Sequence, residues 1–303
     1  MKLSIAALAL FSLSAFALAA PVPDELDDSY AKLKASVDKK DPDAVKADAA
    51  ETLKMVKDLK AKPKPSDADE AKDWENRNKY GDEIEAYTEY ALATTAAQPG
   101  VDPAKTVDLI STLIAQNPKS KYIDEVCANA YYAALGKTGG KQLDAMAKIA
   151  AGRPDNLFAL TVLTEGYGSK SPAQGLTYAN KLIAAAKKPR PEDIPEANWE
   201  KTKNAALGTG YYYAGFAYGQ RQQWLDCDKN MSAALPLVSG EQIGVADYML
   251  GLCRYQFGKL TGDRTKMTAG QALVEKAAGI KSPMQGQAYT TNLQMKQELS
   301  ARH

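Results

Sequence analysis

The chain holds one histidine, His303. A Ser-His-Asp or Cys-His nucleophile needs an imidazole within the fold, and so does a His-ligated zinc or iron site. Composition supplies neither. The stretch Leu135 to Lys141, LGKTGGK, shares part of a phosphate-binding loop. That loop needs a glycine five residues before Gly136, where Tyr131 stands, and it needs a preceding strand, where the pattern here is helical. Its glycines read better as a turn between two helices. Gly208-x-Gly210 is followed by Tyr213 where a dinucleotide fingerprint wants glycine. Asp67, Asp69 and Glu70 lack the glycine and the downstream glutamate of a calcium loop. They suit the first turn of a helix, where negative charge meets the dipole. Asn230-Met231-Ser232 matches a glycosylation sequon, but it lies within a predicted helix. Glycosidic chemistry needs only two carboxylates. Glu165, in LTVLTEGYG, is the one acidic residue embedded in an apolar stretch, and its plain reading is an exposed or groove-facing position. The expectation is therefore no catalytic residue, no metal and no cofactor.

The elements that carry these residues are helices. Fifty-one residues are alanine, against 5 Phe and 3 Trp, a balance that favours helices in close approach. Apolar residues recur at three and four: Ile123, Val126, Cys127, Ala130, Tyr131 and Ala134 form one stripe, and Leu160, Leu163 and Tyr167 another. Breakers separate the runs, among them Gly100, Pro118, Gly139-Gly140, Pro154 and Pro189. Each run suits a helix of three to four turns with a short connection, so the chain reads as antiparallel helix hairpins. Those hairpins recur. Pro118, Pro154 and Pro189 are separated by 36 and 35 residues, a period that points to a helical solenoid.

Further upstream, Asp28 to Leu59 reads as a charged helical hairpin broken at Asp41-Pro42. Lys60 to Pro65 is a loop, and Ser66 is placed to N-cap a helix carrying Trp74. Ile84, Tyr87 and Ala91 give a short stripe that fades into Thr94-Thr95. Met284 to Ala301 suits a terminal capping helix with one wet face.

Tyr211, Ala214, Gly215, Tyr218, Trp224, Cys227, Met231, Ala234 and Leu235 follow the spacing of one helix-A and helix-B pair. On these residues the sequence resembles the tetratricopeptide repeat (TPR) family. Leu250-Gly251, Tyr255 and Gly258 offer a next unit, with an insertion at about Thr261 to Lys266. Leu160, Leu163, Thr164 and Tyr167 fit helix A upstream, and Ser171 to Ile183 fits helix B. Ala214 stands where leucine is usual and Cys227 where alanine is usual, and Pro189 to Trp199 breaks the period. The resemblance covers roughly residues 118–283. It implies an all-α, right-handed superhelix of antiparallel helix hairpins, a TPR-like α-solenoid. Gly215 and Cys227 would then meet where the two helices touch. It also implies that Tyr212, Phe216 and Gln220, followed by Tyr248, Leu252 and Tyr255, face a concave groove. The rings would form an aromatic ladder suited to a peptide or protein segment. The other reading of these rings is packing between adjacent repeats.

Met1-Lys2 and the apolar run Leu3 to Ala19, ending Ala17-Leu18-Ala19, read as a cleavable secretory signal peptide, 1–19. No cysteine follows the run for lipidation, and no later run is long enough to span a bilayer. The expected location is periplasmic or secreted. Cys127, Cys227 and Cys253 are odd in number and their spacing specifies no bridge. The expectation is small buried hydrophobes; the alternative is a Cys227–Cys253 disulfide with Cys127 left over. A net charge of +1 removes the electrostatic case for nucleic-acid binding. The organisation expected is charged helical hairpins over 20–100, TPR-like repeats over 101–283 and a capping helix over 284–303. The function expected is an exported protein-interaction scaffold, not an enzyme. A helical toroid acting on glycans through carboxylates and a structural spacer are the alternatives.

Overall fold

A computed structural model describes residues 24–168, 170–191 and 195–301. The segment 1–19, expected to be a signal peptide, and His303 lie outside the described residues. Among the described residues the chain forms thirteen α-helices and no strand. These are α1 (Glu25–Asp38), α2 (Pro42–Lys60), α3 (Ala68–Ala96), α4 (Pro103–Gln116), α5 (Glu125–Thr138), α6 (Gln142–Gly152) and α7 (Leu157–Gly168). They continue as α8 (Pro172–Ala186), α9 (Glu196–Gln220), α10 (Trp224–Ala234), α11 (Glu241–Thr261), α12 (Arg264–Ala278) and α13 (Gln285–Ala301).

Aspartates start many of the helices. Asp24, Asp41, Asp67, Asp102, Asp124 and Asp263 each accept a hydrogen bond from a first-turn backbone N–H, filling valences that the helix leaves open. Pro42, Pro103 and Pro172 follow in the first turn, where a missing N–H costs nothing. Gly139 and Gly262 end α5 and α11 in the left-handed region, at φ 72° and 68°. The glycines of Leu135 to Lys141 therefore make the turn from α5 to α6.

Each helix packs against the next along the chain. Every odd-numbered helix from α1 to α11 also touches the next odd one, through to α13. The odd helices thus form one continuous layer, as in a helical repeat whose units bury their apolar faces against their neighbours. The hydrophobic core is correspondingly a series of clusters. One runs from Leu33 and Val45 to Leu163, and another from Cys227 to Met295.

Small residues set the crossings within the hairpins. A Cβ on Gly175 of α8 would lie 2.7 Å from Gly168 Cα of α7. One on Gly215 of α9 would lie 2.7 Å from Met231 Cγ of α10.

Several expectations are corrected. Asp67, not Ser66, caps α3, because its carboxylate accepts from the N–H groups of both Asp69 and Glu70 at 3.0 Å. The stripe at Ile84 does not fade: α3 runs unbroken through Thr94 and Thr95 to Ala96. Thr261 to Lys266 is no inserted loop, since α11 extends through Thr261 and α12 begins at Arg264. Gly215 faces Met231, and Cys227 sits instead against Gly219, 3.2 Å from where its Cβ would be. Cys227 is also no isolated hydrophobe. It is disulfide-bonded to Cys253, joining α10 to α11, while Cys127 is a free buried thiol. Spacing alone could not specify this bridge, because the hairpin geometry brings the two Cα atoms to 5.9 Å.

Candidate functional site

The six residues expected to line a groove lie on α9 and α11, in the odd layer. Their fates differ. Tyr212, Phe216 and Leu252 are half-buried and Gln220 is exposed. Tyr248 and Tyr255 are each only 2% exposed. Helix α13 is the reason. The Tyr248 hydroxyl lies 3.5 Å from Thr291 Oγ1, and the Tyr255 hydroxyl donates to Glu298 Oε2 at 3.1 Å. Lys259 donates to the same carboxylate oxygen at 2.7 Å. These two rings pack in the core between the last helices, so they present no surface to a partner. Tyr212 stacks edge-on against Tyr213, with centroids 5.3 Å apart. Burial and the neighbouring Tyr213 push its hydroxyl pKa up to about 12. Leu252 opens instead onto a depression it shares with Trp224, Gln256 and Leu260.

A longer aromatic row lies at the other end of the odd layer. Tyr30 of α1 meets Tyr80 and Tyr87 of α3, with centroids 6.3 and 5.2 Å away. Tyr87 meets Tyr90 at 5.7 Å, and Tyr90 meets Tyr122, just before α5, at 5.6 Å. Tyr80, Tyr87 and Tyr90 share a helical stripe because they are spaced seven and three apart. Tyr90 is 41% exposed and the other four rings are half-buried. Cations sit over the row: Lys34 Nζ lies 4.2 Å from the Tyr30 centroid, Arg77 Cζ 4.9 Å from Tyr80 and Lys121 Nζ 5.1 Å from Tyr122. Burial pushes the Tyr87 hydroxyl up to about 12; at Tyr80 burial and a hydrogen bond to Asp27 do the same. The sequence reading named Tyr87 only as part of a stripe and overlooked the row. The spacing on α3 is its sequence signal, but the partners Tyr30 and Tyr122 come from other helices and leave no local pattern.

Glu165 is exposed, as its plain reading had it. Partial desolvation near Tyr213 nevertheless raises its pKa above the ordinary carboxylate value, with no second carboxylate contributing. Among the described residues no three His, Cys, Asp or Glu side chains are gathered so as to hold a metal, and no helix is long and apolar enough to cross a membrane. Asp69 and Glu70 occupy the first turn of α3.

No protein-family model, no curated protein and no solved structure matches the chain.

Proposed function

We propose that this protein is a binding scaffold, a TPR-like α-solenoid whose odd-numbered helices line the concave side of a right-handed superhelix. A peptide or protein segment docks there by aromatic contact. The observation that carries the reading is the row Tyr30–Tyr87–Tyr90–Tyr122, which crosses three successive positions of the odd layer. Such rings offer large contact area at low entropic cost. Tyr212, Phe216 and Gln220 extend the same layer, whereas Tyr248 and Tyr255 contribute to its stability. Export accords with the Cys227–Cys253 disulfide, because such bridges persist in oxidising compartments.

The test is capture by crosslinking in cell envelopes and in the external medium. The variant Tyr87→Ala, Tyr90→Ala, checked to fold by circular dichroism, should lose the partners that wild type captures. Retention of every partner sinks the proposal.

A glycan-active enzyme that works through carboxylates is the second reading, with Glu165, the acidic residue set in an apolar stretch, as its acid candidate. Hydrolysis of any member of a glycan panel, abolished in Glu165→Gln, would put the enzyme reading first.

A further inference from the structure

A cleft of about 770 Å³ lies where the ends of α5, α6, α7, α8 and α9 converge, next to the Tyr122 end of the tyrosine row. That volume is in the range of small-molecule sites. Its floor is apolar: Trp199 is 8% exposed, Leu157 3%, and Ile123 and Ala185 are also buried. Its polar groups are mostly committed. Lys188 donates to both oxygens of Asp155, at 2.7 and 2.8 Å. Asp124 Oδ1 accepts from the Cys127 N–H at 2.8 Å, capping α5. Asn156 donates to the Ile123 carbonyl and accepts from the Ala159 N–H. Arg153 differs. It lines the cleft half-buried, and among the described residues its guanidinium has no ion-pair or hydrogen-bond partner. Lys121 stands at the rim, also without a carboxylate. The lining thus sets three cations against two carboxylates; the ion pair takes up Lys188 and Asp155, and Asp124 keeps its charge while it caps α5.

A half-buried guanidinium with no ion-pair partner among the described residues, in the same lining as a buried indole, is complementary to one kind of molecule. We propose that this cleft binds a small organic anion: a flat or aliphatic apolar body that lies on Trp199 and Leu157, carrying a carboxylate, sulfonate or phosphate that pairs with Arg153. The site adjoins the Tyr122 end of the peptide-docking row through Lys121, but the proposal rests on Arg153 and Trp199, which are not part of that row.

The probe pair is 1-anilinonaphthalene-8-sulfonate and its uncharged analogue N-phenyl-1-naphthylamine, titrated into the full chain carrying Trp74→Phe and Trp224→Phe. Energy transfer from Trp199, the remaining indole, then reports probe bound in its neighbourhood, and the dependence on Arg153 assigns that signal to this cleft. Saturable transfer to the sulfonate is expected, weakened about tenfold in Arg153→Gln and partly restored in Arg153→Lys, while the weaker uncharged probe is unaffected by either change. Equal binding of the two probes, or no change in Arg153→Gln, overturns the proposal. Glu192 and Asp193 lie outside the described residues, so Glu192→Gln, Asp193→Asn is run alongside. Tenfold tighter sulfonate binding in that variant would mean that the chain's own carboxylates serve Arg153, and it overturns an external ligand. Unchanged binding supports the proposal.

Discussion

Gly251 of α11 and Gly270 of α12 meet backbone to backbone: a Cβ on either would lie 2.6 Å from the other's carbonyl oxygen. A Cβ on Gly270 would also lie 2.7 Å from Tyr255 N. Backbone cannot yield as a flexible side-chain tip does. Gly270→Ala should therefore force α11 and α12 apart and destabilise the fold by about 1–3 kcal/mol. Gly286 in α13 has nothing within 4 Å of its virtual Cβ. Gly286→Ala should stabilise by up to about 1 kcal/mol through helix propensity alone. Urea denaturation of both variants checks the pair; a neutral Gly270→Ala would contradict the crossing.

The Cys227–Cys253 bridge closes a loop with a sequence separation of 26. Cross-linking a loop of that length stabilises by roughly 3 kcal/mol in the chain-entropy account. Reduction should lower the denaturation midpoint accordingly. Thiol titration in denaturant should find one free thiol before reduction and three after. In the folded protein Cys127 should stay unreactive, because burial, with Asp124 nearby, pushes its thiol up to about 12.

Asp247 of α11 is fully buried, and Lys276 of α12 reaches its Oδ2 at 2.9 Å from a side chain that is 57% exposed. Among the described residues neither carboxylate oxygen has a hydrogen-bond partner: the ammonium is close, but its alignment is poor. Charge pairing alone then offsets the burial. Lys276→Met should cost about 3 kcal/mol by stranding the carboxylate, and Asp247→Leu with Lys276→Met should recover most of that loss. A double-mutant cycle by thermal melting measures the coupling; additive effects would show that the pair is not coupled.

Tyr80, Tyr87 and Tyr212 have hydroxyls raised to about 12 from the ordinary value of 10.0. A pKa higher in the folded state means that folding favours the protonated phenol. This contribution is complete below pH 10 and is lost as pH rises through about 12. The melting temperature should thus hold up to about pH 10 and fall beyond it. Ultraviolet titration of the phenolate band should show these three rings ionising after the rest. If Tyr87→Phe leaves the high-pH part of that titration unchanged, burial of the row is refuted.

Much of the architecture was legible in the residues. The stripes at three and four and the prolines at intervals of 36 and 35 are local signals, and local signals survive in one dimension. They determined helices, their approximate bounds and the packing of neighbouring helices in sequence. Side-chain fate depends on which helix lies opposite, and the tertiary structure alone decided that. The resemblance would give Tyr212 and Tyr248 equivalent places, yet α13 seals Tyr248 and leaves Tyr212 half-open. The same holds for Cys227, whose partner is 26 residues away but one hairpin across. Arg153 is one of 38 Lys and Arg residues in the sequence, and only the pairing of Lys188 with Asp155 beside the same cleft sets it apart. Periodicity sets which face of a helix is apolar; only the packing of one helix on another sets what that face touches, because burial is a property of pairs of surfaces and not of a sequence position.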